Sequence, residues 1–183
     1  MVTKCYFSRQ KNLTKSGIKI SFEKMKLKKI VFVCLGNICR SPSAEGVFKY
    51  LTESAGMGDQ FEIDSAGTHA YHVGEQADKR MRTHASKRGY NLTSISRKFN
   101  PDIDFDYFDL IVGMDNENIR VLKSKARNAA DLQKIHKMTE FRKAFTYDEI
   151  PDPYYGGADG FELVLDLLED SCNGLLEKLS YSK

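Results

Sequence analysis

Beyond Lys29 the apolar positions of the chain switch repeatedly between two periods. KIVFVC, ending at Cys34, is a short continuous β-branched run, the pattern of a strand buried on both faces. SPSAEGVFKYLTES follows with apolar residues at Ala44, Val47, Phe48 and Leu51, which is helical spacing. FEIDSAG reads as a second strand ending in a turn, KRMRTHASKRGY as a helix closed by Gly89, and FDLIVGM as a third strand. DNENIRVLKSKA predicts a helix with Asp115 as its N-cap, and DLQKIHKM a fourth strand. After PDPYYGG, the residues Phe161, Val164, Leu165, Leu168, Cys172, Leu175, Leu176 and Leu179 trace one stripe of a final helix. Alternation of strand and helix predicts a single α/β domain, a parallel sheet with helices on both faces. No internal repeat and no linker interrupts it.

Composition sets bounds on this picture without redirecting it. A chain of 183 residues, 41% hydrophobic and 29% charged, suits one soluble domain, and no apolar run approaches the ~18 residues of a membrane span. The net charge of +3 is unevenly spread: Met1 to Lys28 holds eight bases and one acid, leaving 20 bases and 24 acids in the rest. A nucleic-acid partner would therefore rest on the first residues alone, and neither nucleic acid nor membrane is expected. Residues 1–27 are expected to be a disordered basic extension or the product of an early start, with Met25 opening the protein; the domain is expected over 28–183. The arm lacks the apolar core of a secretory signal, although its basic, acid-poor composition is compatible with an organelle transit peptide. Cys5, Cys34, Cys39 and Cys172 contain no CxxC pair and no His at metal-ligand spacing, so neither a disulfide framework nor a metal site is expected, and a reducing cytoplasmic setting fits.

The chemistry concentrates in CLGNICRSP, from Cys34 to Pro42. Ligands of parallel sheets bind beyond the carboxyl ends of the strands, and Cys34 ends the first strand just before a helix. Such a turn gathers backbone N–H groups, and the helix dipole adds positive potential, which makes an anion cradle. Gly36 permits a close turn, Asn37 tolerates a left-handed conformation while its amide braces the loop, and Arg40 offers a planar fork to two oxygens of a phosphate. Helix N-termini and cations lower a cysteine's pKa from ~8.5 to about 3.5–7.5, so a thiol on the floor of the cradle is expected to act as thiolate, with Ser41 donating to it.

CLGNICRS together with DPYYG, from Asp152 to Gly156, makes the chain from about Lys29 to Leu176 resemble a low-molecular-weight protein tyrosine phosphatase. The resemblance implies a four-stranded sheet of order 2-1-3-4, with the phosphatase loop between the first strand and the first helix. It implies that Cys34 attacks phosphorus to form a phosphocysteine, that Arg40 binds the equatorial oxygens, and that Asp152 protonates the leaving phenolate and then activates water. Leu35, Gly36, Asn37, Ile38, Cys39 and Ser41 would surround the phosphate, and Tyr71, Tyr154 and Tyr155 would wall the cleft. Ser65, Ser94, Arg97, Asp115 and Asn118 would support the loop. Ser94 stands where the family often has a histidine, and Arg97 is expected either to pair with Asp115 or to make an ordinary surface pair. Cys39 matches a cysteine that forms a disulfide with the nucleophile under peroxide, the plainer reading being a small buried side chain. His69, His72, His84 and His136 read as structural or exposed. No cofactor and no metal are implied. The implied partner is a phosphotyrosine-containing protein, tyrosine kinases among the candidates, acted on by a monomer or weak homodimer.

Three alternatives use the same fold or loop. A phosphoarginine phosphatase carries Thr where this chain has Ile38; an arsenate reductase relays its disulfide through a later pair of cysteines, which this chain lacks; a phosphotyrosine-binding module would not need both Cys34 and Asp152.

Overall fold

The computed structural model describes residues 27–181, apart from the Tyr155 side chain. The expectations about the basic arm therefore lie outside the described residues, Leu27 excepted. In chain order the elements are β1 (Lys28–Cys34), α1 (Arg40–Ser54), β2 (Phe61–Gly67), α2 (Lys79–Lys87), α3 (Pro101–Tyr107), β3 (Leu110–Gly113), α4 (Asn116–Lys125), α5 (Ala129–Gln133), β4 (Ile135–Lys137) and α6 (Gly157–Tyr181). The four strands are all parallel, in the order β2-β1-β3-β4, with Ile30 level with Ile63 on one side and Leu110 on the other.

The continuous apolar run of β1 follows from its central place. Ile30, Phe32 and Cys34 point to the face covered by α1 and α6, whereas Val31 and Val33 meet Phe99, Phe105, Phe108 and Leu122 on the other. The stripe of α6 lies against the first face: Phe161, Val164, Leu165, Leu168, Cys172 and Leu175 are buried, with Leu176 and Leu179 packed at its edge.

Two segments depart from the sequence reading. Only Ile135–Lys137 of DLQKIHKM is strand, because Asn128 caps a short helix by accepting from the Asp131 N–H (2.9 Å) and Arg127 holds the Asp131 carboxylate (2.8 Å). The helix α3 was not anticipated, although Asn100 accepts from the Asp102 N–H (3.1 Å) and Pro101 fills the first turn, both ordinary start signals.

Gly174 sets how closely α6 can approach the chain after β4. A Cβ there would lie 1.9 Å from the Phe141 carbonyl oxygen, and that segment cannot withdraw easily, since the N–H groups of Lys143 and Ala144 donate to Asp170 of the same helix (2.8 and 3.0 Å). Gly174→Ala gains about 1 kcal/mol of helix propensity but meets a backbone clash of the kind that costs about 1–3 kcal/mol or more. The clash should win, lowering the urea midpoint at an unchanged m-value; a midpoint at or above the parent's would mean that the segment moves aside freely.

Candidate active site

β1 ends at Cys34, residues 35–39 form the turn, and α1 begins at Arg40. The next strand, β2, pairs on one side of β1 and β3 on the other, so the turn opens at the point where chain order reverses. Asn37 has φ +55°, the only non-glycine with positive φ among the described residues. The strain of about 1–3 kcal/mol expected of such a residue is offset by a saturated amide. Its Nδ2 donates to Ser41 Oγ and Ser65 Oγ, both at 2.9 Å, and its Oδ1 accepts from the Arg97 N–H at 2.9 Å. The Asn37 backbone N–H is thereby aimed at Cys34 Sγ, 3.3 Å away, and Ser41 Oγ lies 3.1 Å from the same sulfur.

Asp and Asn side chains cap α2, α3, α4 and α5, but α1 has no side-chain cap. Its first turn faces the loop, which leaves the N-terminal N–H groups and the positive end of the helix for an anion. The loop is clipped from the β2 side, where the Thr68 N–H donates to the Cys34 carbonyl (2.8 Å) and the His69 N–H to that of Leu35 (3.0 Å). Gly67 makes this possible, since a Cβ there would come within 3.0 Å of the Leu35 oxygen.

Arg40 is 4% exposed and hydrogen-bonded through both terminal nitrogens. One terminal nitrogen donates to Asp115 Oδ2 (2.5 Å) and the Ile150 carbonyl (3.1 Å), the other to Asp152 Oδ2 (2.9 Å). Burial opposes the charge, but Cys34, Asp152 and Asp115 together hold the guanidinium above the ordinary arginine value. Asp115 does two jobs at once, because its other oxygen caps α4 through the Asn118 N–H (2.6 Å). Asp152 is similarly divided: Oδ1 accepts from the Tyr154 N–H (3.0 Å) at the start of a 3₁₀ turn, which points Oδ2 inward. Asn118 is buried and accepts the Met114 N–H at 3.3 Å.

Cys34, Arg40 and Asp152 line a cavity of about 290 Å³, together with Leu35, Ile38, Tyr71, His72 and Tyr154. Tyr71 stacks on His69 at 5.2 Å between ring centroids, and the Arg80 guanidinium lies over the Tyr154 ring at 5.2 Å. Gly36 and Cys39 also line the cavity; the Tyr155 side chain lies outside the described ones. The Cys39 thiol is pushed up to about 12, first by burial and then by the Asp78 charge. Cys172 is buried in the core, its thiol pushed up by burial.

Two expected contacts are replaced by others. Arg97 does not pair with Asp115; its guanidinium bonds Asp64 and Asp104, each at 2.9 Å, and only its backbone touches the loop. The sheet order explains this, since residues 97–99 hydrogen-bond Gly67 at the end of β2 while Asp115 follows β3, with β1 between them. Nor does Ser94 hydrogen-bond the loop: the serine that does is Ser96, whose Oγ donates to the Gly36 carbonyl at 3.1 Å. Sequence reasoning also missed Glu45, and it read His72 as structural or exposed without placing it on the cavity it lines. Glu45 is buried, accepts the Ser65 hydroxyl at 2.6 Å and is paired with Lys49 at 2.6 Å, which extends the loop's brace into α1. The only advance signal of His72 was its place beside Tyr71.

Among the described residues no group of three or more His, Cys, Asp or Glu could hold a metal, and no helix is long and apolar enough to cross a membrane. The family model described as low molecular weight phosphotyrosine protein phosphatase matches residues 29–183. A low molecular weight protein-tyrosine-phosphatase of Streptomyces coelicolor is 41% identical over 150 residues, covering 81% of this chain and 91% of its own. The low molecular weight phosphotyrosine protein phosphatase of Gallus gallus is 38% identical, covering 83% and 96%. A solved protein tyrosine phosphatase of Entamoeba histolytica, with Hepes in its active site, superposes with a TM-score of 0.81 at 47% identity, covering 84% and 97%. With a thiol, a buried arginine and a carboxylate converging on one cavity beneath matches of this extent, the chain belongs to the low molecular weight phosphotyrosine protein phosphatase family.

Proposed function

We propose that this chain hydrolyses phosphotyrosine on proteins through two transfers at phosphorus, with Cys34 as nucleophile, Arg40 as phosphate clamp and Asp152 as general acid and base. The observation that carries the reading is the convergence on Cys34 Sγ of the Asn37 N–H (3.3 Å) and the Ser41 hydroxyl (3.1 Å), at the floor of a cavity that also holds Arg40 and Asp152. Sulfur attacks phosphorus and the tyrosine oxygen leaves, taking a proton from Asp152. Water, deprotonated by Asp152, then attacks the phosphocysteine and expels the thiolate. Ser41 Oγ accepts from Asn37, so its single hydrogen is shared between the Ala66 carbonyl (3.2 Å) and the sulfur. It can swing to the sulfur whenever charge collects there.

A substrate dianion competes with Asp152 for the Arg40 fork, and its displacement frees the carboxyl to serve the leaving oxygen. Leu35, Ile38, Tyr71 and Tyr154 give the cavity apolar walls suited to an aryl ring, and Ile38 supports the tyrosine ester over phosphoarginine. Cys172, buried against the Ala44 carbonyl (3.8 Å), is ill placed to relay a disulfide as an arsenate reductase would. The mechanism needs a reduced Cys34, which suits a cytoplasmic enzyme acting on phosphoproteins, kinases included, as a monomer or weak homodimer. Under peroxide, the sulfenic acid formed at Cys34 would lose water to a Cys39 disulfide; a Cys39 thiol held near 12 makes that step slow at neutral pH.

Asp152→Asn tests the assignment of the acid. Loss of a general acid costs about 10²–10⁴-fold for a poor leaving group. The pre-steady-state burst of phenol release should survive with a nitrophenyl ester and fade with phosphotyrosine. Equal slowing of the burst on both esters would remove Asp152 from the role.

A further inference from the structure

Beside the active site, α2 carries Lys79, Arg80, Arg82 and Lys87 and no acid, on a domain whose residues 29–183 hold 20 bases and 24 acids. The bases and His84 divide by direction. His84 and, just past the helix, Arg88 face α6 and are taken up by Glu162, Asp166 and Glu169. Arg80 is bound to Asp78. Lys79, Arg82 and Lys87, at positions i, i+3 and i+8, face outward and line a groove of about 540 Å³ with Thr83, Ser86 and Asn91, and no carboxylate lines it. Arg82 is the only arginine among the described residues without a carboxylate partner; its Nε donates to the Ala77 carbonyl (2.9 Å), which fixes the stem and leaves the terminal nitrogens toward the groove.

The helix that carries the groove starts at the catalytic mouth. The Asp78 N–H, at the cap of α2, donates to the Ile38 carbonyl of the phosphate loop (2.7 Å), and Arg80 lies over Tyr154 on the cavity wall. From Lys79 to Lys87 the stripe runs about 12 Å, the reach of roughly four extended residues. A polypeptide whose phosphotyrosine enters the cavity would have adjoining residues within reach of three cations that have no carboxylate partner among the described residues.

We infer that this α2 groove binds acidic residues flanking the phosphotyrosine, so that the preferred substrates are phosphotyrosines in Glu- or Asp-rich segments. The inference rests on the proposed phosphatase reading and extends it to a substrate class. Rim charges of this kind contribute modestly one by one and additively when several act along one stripe.

The test uses the full chain carrying Cys34→Ser and two phosphotyrosine peptides that differ only in flanking Glu against flanking Gln, with affinities read by fluorescence anisotropy. The Glu peptide should bind about 10-fold tighter near 0.05 M salt, and the ratio should shrink near 0.2 M. Adding Lys79→Gln, Arg82→Gln and Lys87→Gln should cut the ratio to under about 2-fold, and Lys79→Gln with Lys87→Gln alone, confined to exposed side chains, should fall between. Because the ratio is taken within each protein, a partly unfolded preparation does not distort it. A ratio near one in the parent, or one that survives the triple change, overturns the inference. If the chain with Cys34 intact turned over neither peptide, the phosphatase reading would fail while the binding ratio still decided the groove.

Discussion

Cys34→Ser should lower turnover of aryl phosphates by more than about 10⁴-fold while leaving inorganic phosphate binding nearly intact. Cys34 is buried, and its sulfur accepts the Asn37 N–H at 3.3 Å beside the Ser41 hydroxyl at 3.1 Å. Two donors and a helix N-terminus face the sulfur, which is a far better nucleophile and leaving group at phosphorus than the alcohol oxygen of a serine. Serine nearly matches cysteine in shape, so the cradle should persist and phosphate should still find Arg40. The paired measurement is kcat/KM with an aryl phosphate against the phosphate dissociation constant. Turnover within tenfold of the parent would exclude the sulfur as nucleophile.

Arg40→Lys should cost about 10³-fold in kcat/KM, about 4 kcal/mol of transition-state stabilisation, with most of the loss in kcat. Lysine keeps the charge, which makes the comparison informative. Arg40 meets Asp115, the Ile150 carbonyl and Asp152 from two nitrogens held in one plane. A single ammonium cannot reach all three, and it presents a point charge where the equatorial oxygens of a phosphoryl group require a fork. Stability should fall as well, by about 1–3 kcal/mol, since the buried Ile150 carbonyl and the Asp115 carboxylate lose donors. Asp115 should continue to cap α4 through its other oxygen, so the fold survives to be assayed. A lysine variant within tenfold of the parent would mean that charge alone suffices and that the planar geometry is incidental.

The sheet was legible because β1 is central: a strand packed on both faces must be apolar throughout, and its run of Ile30, Val31, Phe32 and Val33 says so directly. Local signals also read well. Asp115 as a cap is decided within three residues of itself, and Asn37 was legible from its intrinsic tolerance of a left-handed backbone. Partners across the sheet were harder. Arg97 and Asp115 are a sensible charge pair on paper, but β1 stands between the ends of β2 and β3 to which they belong. The choice between Ser94 and Ser96 turned on a two-residue register in an irregular segment, which no periodicity fixes. Glu45 is an acid in the middle of a helix, where the common expectation is solvent; its burial depends on Ser65 from another strand and Lys49 one turn on. Asp152 is a further case, since its position beside Arg40 follows from the segment between β4 and α6 and entered only through the DPYYG resemblance.

The covalent step at Cys34 is open to direct observation. Asp152→Asn, mixed with a nitrophenyl phosphate and quenched in acid within one turnover, should carry a single added phosphoryl group, located by peptide mass spectrometry on Cys34, because attack proceeds with a good leaving group while hydrolysis lacks its base. A phosphoryl group on any other residue, or none under conditions where phenol is released in a burst, would contradict nucleophilic catalysis by Cys34.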